Sequence, residues 1–382
     1  MTHVRVCADA PGALARRHAE LLERCARCIP RWRERYCGVG DAARGEQGGG
    51  EDDDNGTRGV WQRLMKKGPG GVTKMLKEVV ECAPVIAAAL ATVEALPEGE
   101  RATIVDLCCG KGFMSMFLAE LLPAHKVRRC VLVDKCWPMH GEAPGPRHIS
   151  PEHIYFESQT GAGEAEPSAA TKPWPVPMEC VKRNLKKGRE QEHLRTHVID
   201  SPADDAGPTI LLAVHLCGRL AVHAVRLFNE SPHRVSLLAL KPCCLPAAQR
   251  NDDREFIAIG GHRFCVGDVS CHGRFVKGQW RGETRSHLRD RFESWCDHLL
   301  AGMDVTGEQT LASGDRRADG DGNAASESGG EGQTEGDAFE GALGAKDTVT
   351  EQLQTDGGYQ NEYLFARRTR LAPRRPPVRP RA

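Results

Sequence analysis

The sequence predicts an α/β fold built on a mostly parallel sheet, and three observations carry that reading. Short apolar runs alternate with segments whose apolar residues recur at helical spacing. Two of the runs, Thr209–His215 (TILLAVH) and Val235–Leu240, are apolar throughout, the pattern of strands buried on both faces. Each run also ends in a polar or turn residue: Asp106, Asp134, Asp200, His215 and Lys241. Five polar strand tips at one edge mark the edge where open α/β sheets bind ligands.

The first unit runs from Thr103 to Asp134. Ile104 and Val105 lead into Asp106, and a small-residue turn follows, Cys108-Cys109-Gly110-Lys111-Gly112. Phe113, Met116, Phe117, Leu118, Leu121 and Leu122 then recur at helical spacing, before Val131, Leu132 and Val133 lead into Asp134. That is one β-α-β unit. Glycine gives such a turn the backbone freedom and close approach that cradling a ligand requires. A carboxylate ending the next strand, about twenty residues beyond the turn, is placed to hold two ribose hydroxyls.

Upstream, residues 12–29 carry Leu14, Leu21, Leu22, Cys25 and Ile29 at helical spacing, with Pro30 as the expected stop. Cys25 and Cys28, with His18 and Cys37 nearby, leave a zinc site open. A second C-x-x-C is missing, and no structural metal is expected. Residues 38–58 read as a linker, and a longer helix is expected from about Gly71 to Leu96, with Lys66, Lys67, Lys74 and Lys77 at its basic start.

Downstream of Asp134, residues 136–177 read as an insertion with one strand-like piece, His153–Phe156. A basic helix is expected over Glu179–Arg189, a third strand over Leu194–Asp200 and a helix over Leu220–Phe228. A sixth strand over Phe264–Val269 and a helix over Ser286–Leu300 follow. Residues 304–356 hold thirteen acids against three bases and are expected to be disordered. Tyr363–Ala366 reads as the last strand. From Arg367 the chain carries seven arginines and no acids, a cationic arm suited to phosphate or to the acidic stretch. The domains expected are an N-terminal helical extension and linker over 1–60 and a main domain over 61–303. An acidic insertion over 304–356, the last strand within 357–370 and a basic tail over 371–382 complete them.

The formal charge of the 382 residues is zero, so bulk electrostatics recruit no particular partner. No apolar run approaches 18 residues and no signal-peptide core is present, so neither a membrane span nor secretion is expected. Sixteen cysteines, several inside apolar runs, read as buried free thiols in a reducing, cytoplasmic or nuclear compartment.

Asp106, Gly110 and Gly112 resemble the D-x-G-x-G-x-G loop of class I S-adenosylmethionine-dependent methyltransferases, with Cys108 in place of the first glycine. His215-Leu216-Cys217-Gly218 and the Cys243-Cys244 pair resemble the H-x-C-G and C-C motifs of one subgroup. It includes eukaryotic tRNA 2′-O-methyltransferases of the acceptor stem and the methyltransferase-like domain of glutathione-S-transferase-C-terminal-domain-containing proteins. The likeness covers roughly residues 71–300 and 360–370; the zinc-binding fingers of the tRNA enzymes have no counterpart in the first 60 residues. The resemblance implies a Rossmann-like, seven-stranded, mostly parallel sheet with helices on both faces and a last strand inserted antiparallel. It also implies S-adenosyl-L-methionine held by Asp106, Cys108, Gly110, Gly112, Asp134, Asp200 and His215, and an RNA substrate methylated at a 2′-oxygen or on a base.

For a hydroxyl acceptor, His215 is the candidate general base near neutral pH, or else a residue that shapes the pocket. For a pyrimidine base, Cys243 or Cys244 is the candidate nucleophile, with Lys241 placed to lower a thiol pKa. A structural cysteine pair is the expectation of the two. No N-P-P-Y or D-P-P-Y is present, which argues against amino methylation of adenine by that route. The competing readings are a non-catalytic scaffold and a methyltransferase for a protein or small molecule.

Overall fold

Among the described residues the continuous apolar runs become the middle of an eight-stranded sheet, one strand more than the seven expected. The computed structural model describes residues 4–7, 16–37, 64, 71–139, 142–145, 147–155, 174–201, 207–248, 254–271, 274–276, 279–283, 285–306, 350–354, 362–368 and 371. Its strands are β1 (Val4–Cys7), β2 (Ala102–Leu107), β3 (Val127–Asp134), β4 (Met178–Lys182), β5 (Thr209–Cys217) and β6 (Val235–Cys244). Two hairpins follow, β7 (Phe256–Ile259) with β8 (His262–Cys265) and β9 (Arg274–Val276) with β10 (Gln279–Arg281). The last two strands are β11 (Thr350–Gln354) and β12 (Glu362–Arg367). The helices are α1 (Ala19–Cys37), α2 (Gly71–Glu94), α3 (Phe113–Leu121), α4 (Glu152–Tyr155), α5 (Gly188–Leu194), α6 (Leu220–Glu230) and α7 (Arg285–Ala301).

The sheet order is β1-β11-β12-β6-β5-β2-β3-β4. β12 pairs antiparallel with both β6 and β11, and the other pairings are parallel, so this is an α/β protein with a mostly parallel sheet. From β2 the chain moves outward through β3 to β4, then returns to β5 on the other side of β2. That reversal leaves a crevice at the carboxyl ends of β2 and β5, the place where such sheets bind ligands.

Period-2 alternation divides the strands between two core clusters. Ile104, Leu132, Leu212 and Ala239 join α1, α2 and α3 through Trp32, Ile86 and Phe117. Val105, Val133, Leu211 and Leu238 join α5, α6 and α7 through Leu194, Phe228 and Trp295. The expected helices over 71–96, 220–228 and 286–300 and the strands at 209 and 235 are present, with β6 continuing through Lys241 to Cys244.

Several expectations are corrected. The first helix spans Ala19–Cys37 and runs through Pro30 instead of stopping there. Trp32 and Tyr36, beyond the proline, are fully buried. At about 1.5–3 kcal/mol for each large apolar side chain, their burial offsets the proline's cost of about 3 kcal/mol. Trp32 packs against Phe117 with the rings tilted and their centroids 4.5 Å apart, and Arg31 and Arg35 pair with Glu120, so α1 belongs to the same core as the glycine-loop helix. His153 and Ile154 lie on α4, not a strand, because Pro151 starts a helical turn whose carbonyl accepts from the Ile154 and Tyr155 N–H groups. Phe156 lies outside the described residues.

The expected basic helix 179–189 is instead β4 and a turn that Asn184 caps by accepting from the Lys186 N–H at 3.1 Å. The expected strand 194–200 is the end of α5 and a π-helical turn over Arg195–Ile199. Leu194, Val198 and Ile199 are the buried residues there, a helical spacing rather than an alternation. The sixth strand expected over 264–269 lies outside the main sheet, as β8 and a 3-10 turn. Gly260 and Gly261, both at positive φ, close its hairpin with β7. Within the stretch expected to be disordered, 350–354 form β11, and β1 adds an edge strand in a region expected to be helical and linker. The linker 38–58, residues 307–349 and the tail 372–382 lie outside the described residues.

Arg368 was expected on the cationic arm and is buried instead. Its Nη1 donates to the carbonyls of Phe228 (3.1 Å) and Val235 (3.0 Å), and its Nη2 to that of Asp304 (2.5 Å). Burial pushes its pKa down to about 10. Arg368→Ala strands those carbonyls and is expected to lower unfolding stability by about 1.5–3 kcal/mol in denaturant titration. An unchanged midpoint contradicts the anchoring role.

The fourteen cysteines whose side chains are described are all free. No helix among the described residues is long and apolar enough to cross a membrane.

Candidate functional site

The loop between β2 and α3 is shaped by three consecutive demands on its backbone. Cys108, Gly110 and Gly112 all have positive φ, at 57°, 56° and 79°. A Cβ at Gly112 would lie 2.4 Å from Cδ2 of the buried Leu132, so a side chain there would displace Leu132 as well as strain a backbone at φ 79°. At Gly110 a Cβ would meet nothing within 4 Å, and that side of the loop is open. Cys108 holds the left-handed conformation without being glycine. Burial, with the charges of Asp134 and Asp106, pushes its thiol up to about 12.

Asp134, at the tip of β3, is tied to the same loop. Its Oδ2 accepts from the Gly110 N–H at 3.1 Å and its Oδ1 from the Cys136 N–H at 2.7 Å. Each carboxylate oxygen retains a second lone pair for a ligand hydroxyl. Asp106 is buried beneath the loop and accepts from the Ser115 hydroxyl at 2.7 Å. Burial pushes its carboxyl up to about 7, helped by the charge of Asp134 and opposed by the Ser115 bond.

A pocket of about 290 Å³ opens at this loop. The loop forms one wall, Met75, Glu78 and Cys82 of α2 form another, and Val214 and His215 at the end of β5 close it. Asp106, Cys108, Gly110 and His215 therefore meet at one cavity, with Asp134 hydrogen-bonded to its wall.

His215 is in the left-handed region, with φ 61°, where the β5–β6 register slips. Its Nε2 lies 3.1 Å from Glu81 Oε2. That oxygen is also 3.9 Å from Nζ of Lys241, which is buried and lies 5.6 Å from the Tyr363 ring centroid. The Tyr363 hydroxyl donates to the Glu81 carbonyl at 2.6 Å and holds that turn of α2 in place. An imidazole whose Nε2 faces a carboxylate presents Nδ1 as its proton acceptor, the division of labour a positioned base requires.

Cys217, two residues beyond His215, lies beside the expected pair. Its Sγ is 2.8 Å from that of Cys243, and Cys243 Sγ is 3.5 Å from that of Cys244. Hydrogen bonds from Cys243 and Cys244 pull the Cys217 thiol down, while sharing those bonds pushes both partners up. Lys241 engages Glu81 rather than these thiols.

Asp200 does not line the pocket. It accepts from Arg195 at 3.0 Å and lies 3.5 Å from His233 Nε2. Cys25 and Cys28 are buried on α1, where Arg31 donates to Cys28 at 3.3 Å and burial pushes Cys25 up to about 12. Glu81, Ser115 and the position of Cys217 were not anticipated. An acid on the largely buried helix α2 was the visible signal for Glu81. No family model and no curated protein matches the chain.

Proposed function

We propose that this chain is an S-adenosylmethionine-dependent methyltransferase whose acceptor is a hydroxyl of RNA. One observation carries the reading. The turn at the end of β2 and His215 line one pocket at the reversal point of a mostly parallel sheet, with Asp134 hydrogen-bonded to that turn and Glu81 paired with His215. The core clusters, with helices contributed to each, and the antiparallel β12 support a Rossmann-like class I architecture for the described residues of 71–300 and 360–370.

The residues present fit the cofactor. Asp134 keeps lone pairs for two ribose hydroxyls, Gly110 leaves open space beside the loop, and Asp106 and Glu78 bring carboxyl groups to a pocket for a cationic ligand. When bound, S-adenosylmethionine supplies an electrophilic methyl group on a sulfonium. The protein's part is to hold donor and acceptor in line, where positioning supplies much of the rate. His215 takes the acceptor's proton at Nδ1, and Glu81 holds the imidazole through Nε2. From the end of β4 to the start of α5, Lys182, Arg183, Lys186, Lys187 and Arg189 give a cationic stretch suited to phosphate.

Calorimetric titration of the full chain with S-adenosylmethionine tests the cofactor. Asp134→Ala is expected to weaken binding by about 1.5–3 kcal/mol, the worth of hydrogen bonds to a charged group. Unchanged affinity in a folded variant removes the ribose assignment. Tritiated methyl transfer into RNA, protein and small-molecule fractions tests the acceptor: label on RNA ribose is expected, and label confined to another fraction overturns that substrate.

A further inference from the structure

The ends of β5 and β6 depart from regular pairing in a way that gathers sulfur. The register slips between Val214 and Leu216 and again between Leu216 and Cys217, with His215 at φ 61° in between. As a result Cys217 lies opposite Cys244, and the sulfurs of Cys217, Cys243 and Cys244 all fall within 4.8 Å of one another. Cys217 is exposed and the other two are half-buried, so the cluster opens on one side. Thiolates are soft ligands that select zinc among the common divalent ions. Zn–S bonds of about 2.3 Å in tetrahedral geometry place sulfurs roughly 3.8 Å apart. The 2.8 Å and 3.5 Å separations both fall short of that spacing, and an outward turn of the exposed Cys217 opens the room that an ion needs.

We propose that Cys217, Cys243 and Cys244 bind one zinc ion through three thiolates, with the fourth position left to solvent. Binding forms three Zn–S bonds and releases the thiol protons to solvent. Cys271 lies near Cys244. The Cys271 N–H donates to the Pro246 carbonyl at 2.9 Å, which fixes that segment beside the cluster. The ion clamps the ends of two strands, one of which carries His215, and so fixes the backbone from which that ring projects. The proposal stands on the sulfur geometry and does not depend on the methyl-transfer reading.

The test is metal content of the full chain, purified without an affinity tag, by plasma mass spectrometry, followed by zinc titration after chelation. Because sixteen cysteines offer other places for zinc, the comparison between variants decides. Cys217→Ser and the double variant Cys243→Ser/Cys244→Ser are each expected to lose one equivalent of zinc. Cys25→Ser/Cys28→Ser and Cys271→Ser are expected to keep it. Cobalt added to the chelated chain is expected to give sulfur-to-metal charge-transfer absorption that Cys217→Ser abolishes. Circular dichroism checks folding, and the exposed Cys217 supplies a variant that does not disturb the core. Equal zinc in the unsubstituted chain and Cys217→Ser overturns the proposal. So does a metal-free chain in which Cys217 and Cys243 are recovered as a disulfide. Loss of the ion in Cys271→Ser overturns the open fourth position. S-adenosylmethionine affinity measured on the same samples separates the two readings: a chain that binds zinc but no cofactor retains this site and loses the proposed function.

Discussion

Replacing His215 with Ala is expected to lower the rate of methyl transfer about 10²–10⁴-fold, the usual worth of a positioned base. Glu81→Gln keeps the side chain's shape but removes the charge facing Nε2, and is expected to cost less. If the two act as one unit, the double variant is no slower than His215→Ala alone. Multiplying losses place Glu81 in a different role, and a full rate in folded His215→Ala removes the general-base assignment. Cysteine chemistry is read out separately with a 5-fluorocytosine-containing RNA. The hydroxyl route predicts no covalent adduct, whereas an adduct trapped on Cys243 or Cys244 makes that thiol the nucleophile and a base the acceptor.

Asp106→Asn is expected to stabilise the protein above neutral pH while weakening the cofactor site. Below about pH 4 the carboxyl is protonated in folded and unfolded chains alike. As pH rises the unfolded chain ionises first, because the folded carboxyl sits at about 7, so stability falls across that interval and the loss is complete above it. Moving a carboxyl from 3.8 to about 7 corresponds to at most about 4 kcal/mol. Asn accepts the same Ser115 hydrogen bond without an ionisation to suppress. Denaturant titrations at pH 5 and pH 8 check this: the variant's advantage grows with pH, and an equal difference at both values refutes the buried-acid account. The removed charge also favoured a cationic ligand, so the stabilised variant is expected to bind S-adenosylmethionine more weakly.

The fold was legible where burial on both faces left an unbroken apolar run. β5 and β6 could be read directly, and Asp106, Gly110, Gly112 and Asp134 came together because one β-α-β unit carries all four. The sequence misled between 178 and 200, where a short edge strand with half-buried residues and a helix with few apolar positions exchange their expected places. Edge strands lack the two-sided burial that makes an apolar run continuous. Gly260-Gly261 was a readable hairpin signal that the apolar run after it obscured. The Glu81–His215 contact joins residues 134 positions apart. No local pattern encodes such a pairing, because it exists only after α2 has packed across the ends of β5 and β6.

The placement of β12 also imposes an order on biosynthesis. This strand separates β6 from β11, supplies the Tyr363 hydroxyl that steadies Glu81, and is followed at once by the Arg368 anchor. Until translation passes Glu362, β6 presents an unpaired edge built around Leu237, Leu238, Ala239 and Leu240, and such an edge invites pairing with another chain. A nascent chain that stalls, or a message truncated before that codon, therefore yields a product that is both sticky and without its steadied carboxylate. A complete glycine loop does not protect such a chain, because the edge of β6 stays open until β12 is made.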